Sequence, residues 1–379
     1  MKFRAERDVL LDALATAARA AATRGGALPA LSGVRLEVAG DVLHLAGSDL
    51  DLTLQVEASV AGIDNGVCVI PARLGTDIVR AVEPGAVTFS LEGSEAVISA
   101  GRSQFSVRVL PAEEFLRLPE PAGDAVTLDG AALAAALNQV VRAASRDDAR
   151  PILGGVLMTA EPAGLRLVAT DSYRLAMRDL PGTTVLAEGQ HVLVPARALG
   201  ELGRVLAGPN LPDSGQVTLR LGGDQASFEV RPERPPERGS GGVRVTTRLI
   251  EGEFPNYRQL VPSGYPNRLV VGKDALLDAV RRVKLLAREA TPIRMALRPD
   301  GLELTAVTHD VGQAREDLDA KYEGSEMVVA FNPEFLIDGV EATPGDDVVL
   351  ETLDALKPAT LRPTEGTDFL YLLMPVRVS

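Results

Sequence analysis

Candidate catalytic residues are few and widely separated in this sequence. Beyond serines and carboxylates, the side chains typical of nucleophilic or metal chemistry are His44, His191, His309 and Cys68. Asp171 and Ser172 together with His309 supply the three residue types of a hydrolytic triad. Because a chain of 379 residues offers such triples by chance, a hydrolase that uses Ser172 and His309 is only a remote alternative.

Metal and nucleotide chemistry also lack their usual sequence signals. No two histidines or cysteines stand at the spacing of metal ligands. The sequence contains no phosphate-binding P-loop, no Gly-x-Gly-x-x-Gly after a strand and no Gly-x-Ser-x-Gly elbow. Cys68 lies in an apolar run and is expected to be a buried thiol, as in a reducing compartment. We therefore expect a protein that is not an enzyme and has no metal or cofactor.

The sequence instead repeats one pattern three times. Amphipathic helices with apolar residues at intervals of three and four are predicted at about 6–21, 129–146 and 273–289. Each is followed by alternating strands and by a second short helix that opens beside a proline. A repeat of roughly 125 residues is too long for a solenoid unit and has the length of a domain.

Three similar α+β domains are therefore expected, each with two helices packed on antiparallel sheets of about eight short strands. The predicted domains are 1–120, 126–257 and 265–379, and they are separated by linkers rich in proline. Residues 232–242 are also rich in proline and glycine, but they lie inside the second copy. We expect them to form a mobile hairpin loop.

The net charge of −13 is unevenly distributed along the chain. The predicted helices with their flanking turns carry 15 basic and 15 acidic residues, and the remainder carries 24 basic and 37 acidic. These counts cover 6–24, 73–83, 129–150, 197–204, 273–289 and 334–341. A surface lined by these helices would repel phosphate less than the strands and loops would, although ordinary solvated helix faces have the same composition.

Composition favours a folded protein without a membrane partner. Hydrophobic residues make up 46% of the chain and aromatic residues 4%, without any tryptophan, so an aliphatic core is expected. No apolar run approaches the roughly 18 residues of a membrane span. The first residues lead into a charged helix and lack the apolar core of a signal peptide. We therefore expect a cytoplasmic location.

The segment 369–378 (Phe-Leu-Tyr-Leu-Leu-Met-Pro-Val-Arg-Val) is strongly apolar. Apolar surface of this extent is usually buried or belongs to a binding site. We expect a core strand whose second face, together with residues 374–378, lines a groove for a partner.

Several short segments resemble the bacterial DNA polymerase III beta subunit family, the sliding clamps. They are Arg150–Val156, Ala169–Ala176, Glu253–Arg258, Phe331–Pro333 and the ending with Leu372, Met374, Pro375 and Arg377. The resemblance extends over the whole chain in order and includes all three repeats. The tail from Tyr371 and the stretch Arg146-Asp147-Asp148 look most like actinobacterial members.

That resemblance implies how the three repeats are used. Members of the family pair head to tail into a homodimeric ring of six domains, with helices around the hole and sheets outside. The charge-balanced helices would then face double-stranded DNA, which is encircled without regard to sequence. The implied function is a processivity clamp that tethers the replicative polymerase alpha subunit. The clamp loader, other polymerases and repair proteins would bind it through short peptides.

The resemblance also implies a hydrophobic peptide cleft between the second and third copies. Matched one position at a time, its residues are Leu153, Thr170, Ser172, Tyr173, Arg174, Leu175, Pro255, Leu260, Asn332, Phe335, Leu356, Leu372, Leu373, Met374, Pro375, Val376 and Arg377. Some members have Gly-His in place of Ser172-Tyr173 and an aromatic residue in place of Pro292. A specialised second clamp with an altered cleft, for example one resistant to an inhibitor, is therefore an alternative.

Residues of two further surfaces follow from the same resemblance. The contact between chains would join an edge strand of the first copy to the third copy of the other chain. Its residues are Phe105, Val107, Leu286 and Ala287. The implied DNA contacts are Arg24, Arg73, Arg102, Gln139, Arg142, Arg146 and Arg197.

Overall fold

The computed structural model describes residues 1–22, 28–118, 120–208, 215–232, 240–262, 264–287 and 291–377. Within these residues the chain forms six α-helices and 26 β-strands, and every strand pair of the four sheets is antiparallel. None of the helices in this part of the chain has the length and apolar character needed to cross a membrane. The predicted loop at 232–242 lies largely outside the described residues.

Two helices recur in each copy, as the sequence predicts. They are α1 Arg7–Ala18, α2 Ala72–Ala81, α3 Gly130–Val140, α4 Ala196–Leu206, α5 Lys273–Lys284 and α6 Pro333–Ala342. The odd-numbered helices end earlier than predicted. After α3 the chain tightens into a 3-10 turn at Val141, where two successive β-branched residues disfavour a further α-turn. After α5 the Leu286 carbonyl accepts a hydrogen bond from the Thr308 hydroxyl at 2.6 Å.

The strands also recur in one order, with nine, eight and nine in the described parts of the three copies. The first copy contains β1 Lys2–Glu6, β2 Gly33–Ala39, β3 Val42–Ser48, β4 Leu52–Ser59, β5 Ala61–Asp64, β6 Gly66–Pro71, β7 Ala86–Glu92, β8 Glu95–Ala100 and β9 Ser103–Arg108. The second contains β10 Ala125–Asp129, β11 Gly155–Glu161, β12 Gly164–Thr170, β13 Arg174–Pro181, β14 His191–Pro195, β15 Gln216–Gly222, β16 Gln225–Val230 and β17 Ser240–Arg248. The third contains β18 Asn267–Gly272, β19 Ile293–Arg298, β20 Gly301–Thr308, β21 Gly312–Leu318, β22 Ala320–Glu323, β23 Met327–Phe331, β24 Asp347–Thr352, β25 Ala359–Pro363 and β26 Phe369–Leu373.

The chain divides into two compact units. The first unit consists of residues 1–134 and 198–249. It contains a five-stranded sheet, β5-β1-β7-β8-β9, and an eight-stranded sheet, β10-β15-β16-β17-β4-β3-β2-β6. In the larger sheet β17 of the second copy pairs with β4 of the first copy, and Val245 lies opposite Leu54. One sheet therefore runs through the junction of two copies.

The second unit consists of residues 135–197 and 250–379. It contains a nine-stranded sheet, β14-β11-β12-β13-β26-β25-β24-β18-β22, and a four-stranded sheet, β21-β20-β19-β23. Here β26 of the third copy pairs with β13 of the second copy, and Tyr371 lies opposite Ala176. The junction has the same form as the one in the first unit, because the last strand of a copy again pairs with the preceding copy.

Helices cover one face of the sheets, and extended segments cover part of the other. α1 contacts α2, β3 and β4, while α5 contacts α6 and β20. On the opposite face, the apolar residues of 110–118 pack against Ala46 and Val69. In the second unit the segment 250–261 packs in the same way against Leu157 and Val168. The α+β fold with helices on antiparallel sheets is thus confirmed.

Candidate functional site

The predicted cleft begins at a tight turn between β12 and β13. Asp171 Oδ1 accepts hydrogen bonds from the backbone N–H groups of Tyr173 at 2.9 Å and Arg174 at 3.1 Å. The Thr170 hydroxyl donates to the Arg174 carbonyl at 2.7 Å and accepts from the Ser172 N–H at 3.2 Å. These bonds hold Ser172 at a φ of 81°, in the left-handed region that favours glycine. The turn leaves Tyr173 60% exposed and Arg174 buried.

Arg174 organises the centre of the cleft from below. Its guanidinium donates to Asp171 at 3.0 Å, to the Tyr371 hydroxyl at 3.3 Å and to Asp338. Its Cζ also lies 4.4 Å from the centre of the Phe335 ring, a cation–π contact. Burial lowers the pKa of Arg174, but the neighbouring Tyr371, Asp338 and Asp171 raise it above its ordinary value. Arg174 is therefore a charged support for the cleft wall, with little surface left for a partner.

The apolar tail lies along the turn, but it leaves the sheet earlier than predicted. β26 ends at Leu373, because Pro375 has no N–H to donate to a strand ladder. Instead the Met374 N–H donates to the Tyr173 carbonyl at 2.9 Å, and the Val376 N–H donates to the Ala330 carbonyl at 2.7 Å. Met374 and Val376 keep 37% of their surface exposed. The tail thus forms one wall of the cleft.

The floor of the cleft is apolar and part of the core. Leu175 lies opposite Leu372 in the β13–β26 ladder, and both belong to a buried cluster that includes Tyr257. Tyr173 stacks on Phe335 with ring centres 6.3 Å apart. The exposed apolar side chains offered around this floor are Tyr173, Leu260, Leu356, Met374 and Val376.

Some residues assigned to the cleft have supporting positions. Leu373 is fully buried, and Leu153 and Thr170 are less than a tenth exposed. The Asn332 side chain caps α6 by accepting from the Glu334 N–H at 2.9 Å, which satisfies an otherwise unpaired helix donor. The exposed residues assigned to the cleft also include Pro255 and Arg377.

Two of the implied DNA contacts are engaged inside the second unit. Gln139 is 8% exposed, and its amide donates to the Ala342 carbonyl at 3.0 Å. Arg142 pairs with Glu341 at 3.1 Å and with Asp338 at 3.5 Å. Burial raises the pKa of Glu341, but hydrogen bonds from Arg142 and Arg281 outweigh it and lower the pKa. Gln139 and Arg142 therefore link α3 and the turn after it to α6.

The remaining implied DNA contacts lie on exposed positions of their own units. Arg73 and Arg197 occupy the first turns of α2 and α4, and Arg102 lies in the turn between β8 and β9. The Arg73 side chain is 97% exposed and lies 3.8 Å from Asp77. Arg146 is exposed after α3, and Arg24 lies outside the described residues.

A strongly exposed leucine stands beside the residues assigned to the contact between chains. On β9, Phe105 is 37% exposed and Val107 is nearly buried at 5%. Leu286 and Ala287 are half-buried after α5, whereas Leu285 is 82% exposed. Counting from each helix start aligns Leu285 with Arg19 and Arg142, which both form ion pairs, so the repeat itself is the sequence signal that singles out Leu285.

The hydrolytic triple has no support in the structure. The two oxygens of Asp171 are bonded to the backbone of its own turn and to Arg174, so they do not orient a histidine. The Ser172 hydroxyl accepts a hydrogen bond from Arg150 at 3.2 Å. Among the residues that the structure describes, no cluster of histidine, cysteine and carboxylate side chains is arranged to hold a metal.

A repeated α+β domain with exposed apolar side chains around a buried floor is typical of a class of proteins that work by binding. The DNA polymerase III beta subunit family matches the chain in three parts. Its N-terminal domain matches residues 1–119, its central domain 127–256 and its C-terminal domain 258–377.

Known relatives agree with this match. The beta sliding clamp of Streptomyces coelicolor is 35% identical over 396 aligned residues, which cover 100% of both chains. That of Micrococcus luteus is 35% identical over 321 residues, or 84% of this chain and 98% of the relative. The crystal structure of the sliding clamp of Bartonella birtlesii bound to griselimycin is 28% identical, covers 100% of both chains and gives a TM-score of 0.88.

The chain belongs to the DNA polymerase III beta subunit family. It is a sliding clamp, a non-catalytic subunit of DNA polymerase III that acts in DNA replication.

Proposed function

We propose that this chain forms a head-to-tail homodimeric ring in the cytoplasm, encircles duplex DNA and binds polymerases and other replication and repair proteins through the cleft described above. Its three domains would be 1–120, 126–257 and 265–379. The observation that carries this proposal is the repeated junction of copies. β17 pairs with β4 and β26 pairs with β13. The corresponding strands β9 of the first copy and β21 of the third copy have no such partner among the residues that the structure describes, and they lie at the edges of their sheets.

A second copy of the chain is the natural partner of these edges. β9 occupies the position of β17 and β26, and β21 occupies the position of β4 and β13. Two chains arranged head to tail would pair both β9 edges with both β21 edges and leave neither edge open. Edge pairing of this kind gives a closed assembly in which every junction has the same form.

The register of this pairing follows from the two junctions within the chain. Val245 lies opposite Leu54 and Tyr371 lies opposite Ala176. Phe105 is the equivalent of Val245 and Tyr371 in the first copy. It lies opposite Ile98 on the neighbouring strand, just as Val245 lies opposite Phe228 and Tyr371 lies opposite Leu361. The equivalent of Leu54 and Ala176 is Ala314, because it lies opposite Ala306 as they lie opposite Gly47 and Ala169. Phe105 of one chain is therefore expected opposite Ala314 of the other, and Val107 opposite Gly312.

The helices support the same arrangement. Arg19 pairs with Glu201 at 2.5 Å in the first unit, and Arg142 pairs with Asp338 in the second. Glu201 is the sixth residue of α4 and Asp338 is the sixth residue of α6. The sixth residue of α2 is Asp77. Leu285 stands at the position of the two arginines. The junction between chains would thus replace an ion pair by an apolar contact of Leu285 with the exposed Leu74, one turn before Asp77.

Weak contacts to DNA fit this arrangement. The exposed arginines Arg73, Arg102, Arg146 and Arg197 are proposed to touch phosphates, together with Arg24. Nearby carboxylates such as Asp77, 3.8 Å from Arg73, compete with phosphate for the same guanidinium. Contacts that exchange between carboxylate and phosphate hold DNA loosely, so retention would depend on encirclement and the ring would be free to slide.

Light scattering combined with peptide titration tests the proposal. The mass expected is twice the 39.9 kDa of one chain, together with saturable binding of a fluorescent Gln-Leu-x-Leu-Phe peptide. A dimer that ignores the peptide would reject the cleft but retain the ring. A monomer that also ignores the peptide would reject both.

A further inference from the structure

A second groove lies beside the cleft on the same face of the nine-stranded sheet. It has a volume of about 300 Å³ and is lined by Leu157, Thr159, His191 and the segment Glu253–Arg258. Pro255, which is exposed, belongs both to this lining and to the residues assigned to the cleft. The groove thus borders the proposed peptide site at Pro255.

Strand register gives the distance between the two sites. The cleft floor is a cross-strand row containing Thr170, Leu175 and Leu372. Two residues further along the strands is a row containing Leu157 and Val168, against which the side chains of Phe254 and Tyr257 pack. A third row lies two residues further along the strands, and in it Thr159 lies between His191 and Arg166. At about 3.3 Å per residue the third row lies about 13 Å from the cleft floor.

The chemistry of the groove suits one apolar side chain. Leu157 and Phe254 provide apolar surface, and Thr159, His191 and Asn256 provide hydrogen-bonding groups at its border. Two arginines near the groove are already paired. Arg166 binds both oxygens of Asp179, at 2.6 and 2.8 Å, and Arg258 pairs with Glu161. An apolar occupant would therefore meet guanidinium groups that keep their own partners, and Glu253 at the border of the groove is exposed to solvent.

We propose that partner peptides continue from the cleft over Pro255 and place one large apolar side chain in this groove. This inference rests on the proposed peptide-binding function of the cleft. An extended chain covers about 3.3 Å per residue, so about four residues beyond the cleft anchor reach the third row. A flanking aromatic or branched aliphatic residue would then distinguish partners that share the same short anchor motif.

Fluorescence anisotropy with a matched peptide set tests the inference. The set contains the Gln-Leu-x-Leu-Phe anchor alone, and the anchor extended at either end by three glycine or serine residues followed by tryptophan or by alanine. One tryptophan extension is expected to bind about fivefold more tightly than its alanine counterpart, since a single buried side chain must offset the ordering of its linker. The gain should disappear in His191→Trp, which fills the groove two rows from the cleft floor. It should persist in the control Glu188→Trp, an exposed position in the preceding turn.

The outcomes separate this inference from the proposed function. Equal affinities for the tryptophan and alanine extensions at both ends, with normal binding of the anchor, would overturn the groove and retain the cleft. A tryptophan gain that His191→Trp leaves unchanged would place the contact elsewhere and also overturn it. Failure of the anchor itself to bind would reject the cleft, and the groove with it.

Discussion

Replacing Leu285 with alanine is expected to weaken the association of two chains far more than its position on a helix end suggests. In a single chain the residue is 82% exposed. At the junction between chains it replaces the arginines that pair with Glu201 and Asp338 inside the chain. Nearly all of its apolar surface is therefore available for burial against α2 of the other chain, next to Leu74.

The magnitude follows from that exposure. Full burial of a leucine side chain contributes about 1.5–3 kcal/mol relative to exposure, so about 1–2.5 kcal/mol is at stake at each junction. A closed dimer has two such junctions and would lose about 2–5 kcal/mol. The dissociation constant would rise by roughly 30-fold to several thousand-fold.

Sedimentation equilibrium over a range of protein concentrations measures this change. Leu356→Ala is the matched control, because Leu356 is 64% exposed in the same unit but is assigned to the cleft. It is expected to leave the dimer intact and to weaken binding of the anchor peptide. A dimer of Leu285→Ala with a dissociation constant within about threefold of the unaltered chain would refute the assignment of this residue to the junction.

Three further changes test other parts of the account. Cysteines at Phe105 and Ala314 are expected to cross-link two chains under oxidation, whereas Phe105→Cys with Glu316→Cys is not. Directly opposed residues lie about 4.5–5.5 Å apart between Cα atoms and diagonal ones about 7–8 Å, which exceeds disulfide reach; cross-linking of both pairs on a non-reducing gel would contradict the register. Deleting 374–379 is expected to abolish binding of the anchor peptide and to preserve the dimer mass, because the tail forms a cleft wall; unchanged peptide affinity would contradict it. Because the pKa of Glu341 is lowered in the folded chain, its stabilising effect is present at neutral pH and is lost as the pH falls below the ordinary carboxylate pKa of about 4.3. Denaturant titrations should therefore show a smaller loss of stability from neutral to acidic pH in Glu341→Gln, and an equal loss in both proteins would contradict the pairing.

The periodic features of the fold were predictable from the sequence. Helix starts carry their own signals in apolar spacing and in prolines, so α1, α3 and α5 begin close to where the pattern places them. The turn at Asp171 is also local, because a carboxylate that bonds to the two following N–H groups needs only neighbouring residues. Features set within a few residues of sequence are therefore readable without a structure.

Roles that depend on distant partners were not predictable in the same way. Gln139 reads as a helix-surface residue, yet its partner is the carbonyl of Ala342, 203 residues later. Arg174 reads as a peptide contact, yet Asp338 and Tyr371 engage it from below. Leu285 and Leu286 are adjacent leucines in a predicted helix, and the sequence does not show that the helix ends at Lys284. Only the structure shows that Leu285 is far more exposed than Leu286. Spacing along the chain does not record which side chain meets which across the fold.

Encirclement of DNA is the central claim, and retention of a covalently closed dimer on DNA of different topology tests it most directly. The chain with cysteines at Phe105 and Ala314 is mixed with a nicked circular plasmid, oxidised and washed in high salt, which removes phosphate contacts. The account predicts that cross-linked protein stays on the circle and is released when one restriction cut makes the plasmid linear. Equal retention before and after the cut, or none on the circle despite complete cross-linking, would contradict it.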